Sequence, residues 1–537
     1  EGRIRIFDNC PAVPATPAGS DAFELDLLGS YSSGVFDEGA AEIVAHDPAS
    51  QQVFFTNANA NSIGILDITD PAAPTLVTEV SMDPYGGGVN SVAVANSVIA
   101  VAVEGNNVDD AGTVVFLDTL GAVTGTATVG VLPDMLLFSP DGTKVLTANE
   151  GQPDDDYLVD PEGSVSIVNI SGGVAAATVT TVGFAGWNDS LQVLLDAGVR
   201  IFGPDATVAQ DLEPEYITIE ADGNTAYVVF QENNALGVID LTQDSLVAIV
   251  PLGFKDHSCD INGFDPSNRD DAINIGGQPT LGMYQPDAIT SYVVNGTTYL
   301  VTANEGDARD YDGFSEEVRV ADLQLDPTAY PTAAVLQEDE NLGRLRTTNA
   351  YGDTDGDGDI DQIYSYGARS FSIWNTAGEL VYDSGSEFER LLAEFLPDDF
   401  NSNNDENDSF DSRSDDKGPE PEAVTVVTLN DTIYALIGLE RVGGVMVYDV
   451  TDPTAPAFVS YTNNRDFSVE AQLDDDSTNP EVGDLGIEDI IYIEPEDSPN
   501  GFAIVVTANE VSGTVSLFGV NTPPVSTDPE LNLAELG

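Results

Sequence analysis

From residue 42 onward the apolar positions fall in short runs separated by turn dipeptides, and the runs come in fours. The clearest set spans 42–81: EIVAHDP, QQVFFTNAN, SIGILDIT and TLVTEVS. Runs this short, rich in β-branched and aromatic residues and closed by Asp-Pro, Asp-Gly or Asn-Gly, predict strands joined by tight turns. Four strands per period without intervening helices predict a β-propeller blade. Eight such units begin near Glu42, Asn90, Asp134, Glu215, Asp287, Leu342, Glu422 and Glu488. Two are interrupted, so the pattern supports a single all-β propeller of seven or eight four-stranded blades.

The last unit stops at its third strand, TVSLFGV (514–520), while a spare strand, FELDLLGSYS, lies at 23–32. An open sheet edge invites aggregation, so the spare strand is expected to complete the final blade and close the ring. Residues 23–520 are then the propeller, 1–22 an N-terminal extension and 521–537 a linker or tail. Residues 1–9, EGRIRIFDN, alternate as a strand and are free to add to a sheet edge of the same or a neighbouring molecule.

The repeats carry acids at fixed places. Glu150, Glu305 and Glu510 each end the phrase Thr-Ala-Asn-Glu, and looser copies end at Glu104, Glu232 and Glu440. One hairpin upstream each unit opens with an acid or amide: Asn90, Asp134, Glu215, Asp287, Glu422 and Glu488. The start of a blade's innermost strand and the loop after its second strand open on one face, so both sets should converge on one mouth of the central channel. Carboxylates crowded there repel unless protonated or neutralised, and all-oxygen sites suit hard cations, calcium above all. An iron or other divalent ion at the mouth is the further expectation.

A separate motif runs Asp353, Asp355, Asp357, Asp359 and Asp361, with Gly358 at its sixth position. Alternate aspartates and a glycine at the sharp turn are the pattern of a calcium loop. Its twelfth position is Tyr364 rather than an EF-hand glutamate, so a helix-free loop between strands is expected. The tract from Asp398 to Asp416 lacks that spacing and reads as a solvated or weakly calcium-ordered excursion. It joins Asp154–Tyr157 and Asp307–Tyr311 as insertions expected on the mouth, where loops on a rigid scaffold place binding.

The 537 residues hold 93 acids against 16 bases, a formal net charge of −77. That excludes nucleic acid and anionic membrane as natural partners. No run approaches the roughly 20 apolar residues of a membrane span. Cys10 and Cys259 could form one disulfide in an oxidising compartment or stay as separate thiols. The acid load, scarce thiols and calcium-type loops together predict an extracellular, periplasmic or cell-surface location. His46 and His257 offer few bases for a serine-type site, and without a second Cys/His pair zinc chemistry is improbable. Catalysis, if present, would be metal-assisted hydrolysis with Arg309 or Arg441 facing an anionic substrate.

The segments AGVRIFGPDATVAQDLEPEYITI (197–219), FDPSNRDDAINI (264–275), GMYQPDAI (282–289), VTANEGDARDY (301–311) and GVMVYDVTDPTAPAFVSY (444–461) resemble the bacterial choice-of-anchor I domain. That family is similar to mesenchyme-specific cell-surface glycoprotein, and the likeness runs over about residues 22 to 520. It implies a secreted or surface-tethered propeller whose anchor varies between relatives, and it leaves activity open. A looser architectural resemblance is to calcium- and iron-dependent propeller alkaline phosphatases. Two functions are therefore expected: a calcium-binding surface or matrix propeller acting in adhesion or assembly with cations, matrix components or itself, or a metal-dependent phosphoesterase using the glutamate mouth.

Overall fold

Seven four-stranded antiparallel sheets stand around one axis in the computed structural model, which describes residues 10–522. Their first strands are Val44–Asp47, Val89–Ala95, Pro133–Phe138, Pro214–Ile219, Ile289–Val294, Pro421–Leu429 and Ile487–Ile493, which open blades 1 to 7 in that order. Each first strand touches its two neighbours around the ring, and blade 7 meets blade 1. Short β-branched runs bury both faces here because blades stack face to face. Phe54 and Phe55 of blade 1, adjacent in sequence and both fully buried, belong to two different inter-blade cores.

The spare N-terminal strand, Glu24–Ser32, pairs antiparallel with Thr514–Asn521 and is the fourth strand of blade 7. A bulge between Leu27 and Gly29 lets it follow the rim, and at Gly29 a side chain would meet the Pro71 and Ala72 carbonyl oxygens within 2.8 Å. Residues 10–22 reach this strand along the outer side of the propeller, past Arg390 and Val459. Cys10 is bonded to Cys259, Arg390 donates to the Pro14 carbonyl at 2.6 Å, and the Ser20 amide donates to the Val459 carbonyl at 2.7 Å. The alternating strand expected at 1–9 and most of the tail expected at 521–537 lie outside the described residues.

The unit expected near Leu342 is not a blade. Blade 5 is split: residues 305–369 leave between its second strand, Thr297–Asn304, and its third, Ser370–Asn375. Strands Glu317–Arg319, Arg346–Thr348 and Ile363–Ser365 of that insertion join Phe254–Asp256 and Thr280–Met283 in an accessory five-stranded sheet. The Thr280–Met283 and Ile363–Ser365 strands run parallel, which no hairpin blade does. Phe264, Val320, Tyr330, Leu342 and Leu345 give this sheet a core of its own, so its strand pattern imitates a blade without stacking in the ring.

The disulfide ties the segment that carries the closing strand to this accessory region. Reduction, or Cys10→Ser, is expected to lower stability by roughly 2–4 kcal/mol, the usual contribution of a native crosslink. Thermal unfolding with and without reductant checks this, and an unchanged midpoint would refute it.

Candidate functional site

The acidic mouth is built by a repeated backbone device. In blades 2, 3, 4, 6 and 7 the register of the first strand against the second slips at Asn90, Asp134, Glu215, Glu422 and Glu488 respectively. An extra residue breaks the two-residue alternation, so its side chain need not enter the blade core. Antiparallel pairing then brings the end of the second strand alongside. Pro133 faces Asn149, Pro421 faces Leu439 and Ile487 faces Asn509, so Glu150, Glu440 and Glu510 follow at once.

The repeated Thr-Ala-Asn-Glu divides its labour. Asn149 donates to Ser164 Oγ at 3.2 Å and Ser166 Oγ at 3.0 Å, and accepts from Thr147 Oγ1 at 2.7 Å. Asn304 does the same with Ser372 Oγ at 2.8 Å and Thr302 Oγ1 at 2.8 Å. Thr and Asn therefore staple the second strand to the third. The glutamate is left over for the mouth.

Carboxylates from blades 1 and 3 to 7 meet there. Burial and the charges of Glu232, Asp287, Glu150 and Asp134 push Glu215 well above the usual carboxylate range. Burial and the charges of Glu510, Asp287, Glu42 and Glu440 do so for Glu488. Burial, then Glu305, Asp287, Glu488 and Glu440, raise Glu422 likewise. Asp134 is pushed to about 6 by burial, and Glu42 to about 8 by burial, Glu510 and Asp134. Glu42 was not among the expected site residues, although it opens the clearest sequence unit.

Two expected members stand apart. Asn90 gives its amide to the Pro133 carbonyl at 3.1 Å, and Glu104 is raised by burial alone. In blade 4 the place after the second strand, next to Phe230, is held by Gln231, whose amide donates to Glu305 Oε2 at 2.8 Å. Glu232 is one residue beyond and still reaches the cluster, beside Glu215 and Glu150.

Oxygen atoms converge closely enough to hold an ion in two sets on this wall, which share Glu305. Asp287, Glu305 and Glu422 each offer an oxygen within 4.8 Å of the others, and so do Glu305, Glu420 and Glu440. Glu215, Glu232 and Glu422 are more than nine-tenths buried, and each keeps one carboxylate oxygen with no hydrogen-bond partner. Leaving a buried carboxylate oxygen unanswered costs free energy that a cation would recover, so the donor set fits a hard ion. Beneath the mouth lies a cavity of about 250 Å3, lined by residues of all seven first strands, among them Val44, Leu136, Ile289 and Ile490. Tyr216 enters it, its hydroxyl pushed up by burial and by Asp489, Asp287, Glu488 and Asp134.

The 398–416 tract is not a solvated excursion. Asn401 and Ser414 are fully buried, and Arg369 donates to the Ser414 and Asp416 carbonyls at 2.8 and 2.6 Å. Its end delivers Lys417 into the mouth, ion-paired with Glu305 and, at 3.2 Å, with Glu420. Arg413 and Arg441 also hold Glu420, at 2.6 and 2.9 Å, and Arg441 reaches Glu440 at 3.2 Å. Burial opposes charge on Glu420, but Lys417, Arg413 and Arg441 keep its carboxyl below the usual range. No spacing rule in the sequence singled out Lys417 or Glu420.

The loop insertions do lie by the mouth. Tyr311 is raised by burial and by Glu213, Glu232 and Glu150, and its hydroxyl donates to Gln152 at 3.3 Å. Arg309 is not free for an anionic substrate: it is fully buried, paired with Asp211 at 3.1 Å and Glu213 at 3.0 Å. His257 is buried against the Asn262 carbonyl, its ring held neutral, and Cys259 beside it is in the disulfide.

The aspartate loop does not close on one point. Asp353, Asp355 and Asp357 form one exposed triad, whereas Asp359 and Asp361 gather with Asp326 in another. The Asp326 amide bonded to the Ile360 carbonyl at 3.0 Å fixes that second arrangement, and Asp326 lies too far away in sequence to have been anticipated.

Fold and site together define a seven-bladed propeller with a buried acidic mouth at one end of its channel. The chain belongs to the choice-of-anchor I domain family, which it matches over residues 42–453. It is 33% identical over 190 residues to Gigasin-3a of Magallana gigas, covering 34% of this chain and 66% of that protein. It is 26% identical over 284 residues to the mesenchyme-specific cell surface glycoprotein of Strongylocentrotus purpuratus, covering 45% of this chain and 35% of that one. The chain thus spans less than two thirds of either relative's length. Solved structures similar to it include the Cps50 (Swd1) propeller domain of Myceliophteria thermophila, with TM-score 0.42, 8% identity, and 93% and 100% of the two chains covered. Hydrazine synthase of Kuenenia stuttgartiensis gives TM-score 0.44 at 13% identity, with 92% and 100% covered. Among the described residues no helix is long and apolar enough to cross a membrane.

Proposed function

We propose that this chain is a calcium-binding propeller of the cell surface or extracellular matrix, acting in adhesion or assembly, with a divalent cation held at its acidic mouth. The observation that carries this reading is the set of buried, partnerless oxygens of Glu215, Glu232 and Glu422 beside the Asp287, Glu305 and Glu422 triad. A cation supplies the missing partner and lifts the mutual repulsion of the ring. A relative named as a cell surface glycoprotein and a disulfide, which persists in oxidising compartments, support the location. Extra aspartate oxygens at 353–361 supply a second, exposed calcium loop in this reading. The phosphoesterase alternative is disfavoured because Arg309 is consumed by internal ion pairs and Arg441 by Glu420 and Glu440.

Bound calcium is to be measured on the purified chain, on Glu305→Gln/Glu422→Gln and on Asp355→Asn/Asp357→Asn, alongside phosphoester hydrolysis. The first pair should lose the mouth ion and the second the loop ion, with both remaining folded and no hydrolysis above background. Metal content equal in all three would refute the cation sites, and hydrolysis lost in the mouth variant would restore the enzyme reading.

A further inference from the structure

The mouth offers two three-carboxylate sets that share Glu305, and the two are answered differently. In the first, Asp287, Glu305 and Glu422 each offer an oxygen within 4.8 Å of the others, and Glu422 keeps a buried oxygen without a partner. In the second, Glu420 is held by Lys417 at 3.2 Å, Arg413 at 2.6 Å and Arg441 at 2.9 Å, and Glu440 by Arg441 at 3.2 Å. The second set already has its cations, and they belong to the protein.

We propose that Lys417, which bridges Glu305 and Glu420 while Arg441 holds Glu440, is a built-in counter-ion that keeps a metal out of the Glu305, Glu420 and Glu440 set and so restricts the mouth to one divalent ion, at Asp287, Glu305 and Glu422. This rests on the cation reading above and adds what limits the number of ions. An ammonium is a compact single charge on a flexible stem, so it takes an ion's place without a coordination geometry. Lys417 is 8% exposed and arrives from a segment anchored by Arg369, so ordering it costs little when the mouth forms. Lys417 takes one oxygen of Glu305 and Gln231 donates to the other at 2.8 Å, so a divalent ion in the first set shares Glu305 with these partners and takes its remaining ligands from Asp287 and the partnerless oxygen of Glu422. A divalent ion in the second set would have to displace Lys417 into the low-dielectric interior beside Arg413 and Arg441, which is strongly unfavourable.

The test counts ions in an Asp355→Asn/Asp357→Asn/Asp359→Asn/Asp361→Asn background, which removes both aspartate triads of the loop. With manganese as the probe, the unaltered mouth is expected to bind one ion per chain, Lys417→Met two, and Lys417→Arg one. Lys417→Met that still binds one ion overturns the counter-ion role while leaving the cation reading intact. A mouth that binds none, with Glu422→Gln indistinguishable from it, overturns the reading beneath. Should Lys417→Met fail to fold, manganese anomalous scattering from crystals of the unaltered chain decides: one peak at Asp287, Glu305 and Glu422 supports the assignment, and a peak at Glu420 and Glu440 overturns it.

Discussion

Chelated protein is expected to melt roughly 3–5 °C lower at pH 8 than at pH 5.5, and saturating calcium is expected to remove most of that gap. Burial raises Asp134 to about 6, and burial together with neighbouring carboxylates raises Glu42 to about 8 and Asp307 to about 7. Each is a carboxyl whose folded pKa lies above its unfolded value near 4. Such a group costs nothing below pH 4 and destabilises progressively as pH climbs through 6 to 8, where the folded state must hold a charge that burial disfavours. One pKa unit corresponds to about 1.4 kcal/mol, so a few coupled groups amount to a few kcal/mol even after allowance for shared protons. Calcium binds the ionised form and therefore recovers most at pH 8. The surface, with a net charge of −77, also repels itself more as pH rises, but salt screens exposed charges far better than buried ones. Melting at 0.5 M NaCl separates the two. If salt alone closes the gap, the mouth is not its source.

The ring was legible in the sequence because a propeller repeats one local instruction: strand, turn, and an acid at the same two places. Glu150, Glu305, Glu440 and Glu510 follow that instruction, and so do the opening residues of the first strands, since bulge and turn are local events. What escaped was set by distance in sequence. Gln231 displaced Glu232 by one residue because the second strand of blade 4 ends at Phe230 and only the ladder with Pro214 shows it. Lys417, Glu420 and the partner Asp326 owe their positions to insertions folding back, which no period encodes. The Leu342 unit misled for the same reason: its strands alternate as blade strands do but pair with Thr280–Met283 in parallel. Arg309 looked available because it follows a mouth glutamate, yet Asp211 and Glu213 reach it from blade 4's entry loop.

Deleting residues 1–32 is expected to have the largest effect of all: loss of the folded monomer, or a midpoint at least about 10 °C lower with self-association. The deleted strand makes eight residue pairs with Thr514–Asn521, from Glu24 with Asn521 to Ser32 with Thr514. Phe23, fully buried, packs on Tyr434 of blade 6 at 4.9 Å between ring centroids, and Leu25 is buried in the same core. Burying two such side chains is worth about 1.5–3 kcal/mol each, and the strand's ladder bonds add to that. This sum is a large share of the roughly 5–15 kcal/mol that holds a typical domain together. The consequence also reaches beyond blade 7, because the first and last described strands meet there and, among the described residues, only this strand covers the edge of Thr514–Asn521. An uncovered edge of that length pairs with another copy. Adding a peptide of residues 20–34 should restore the monomer in light scattering and raise the midpoint, whereas the same peptide with Leu25→Asp should not, since it would bury an unpaired charge beside Tyr434 and Phe518. A truncated chain that stays monomeric and melts where the full chain does would show that blade 7 closes without its fourth strand.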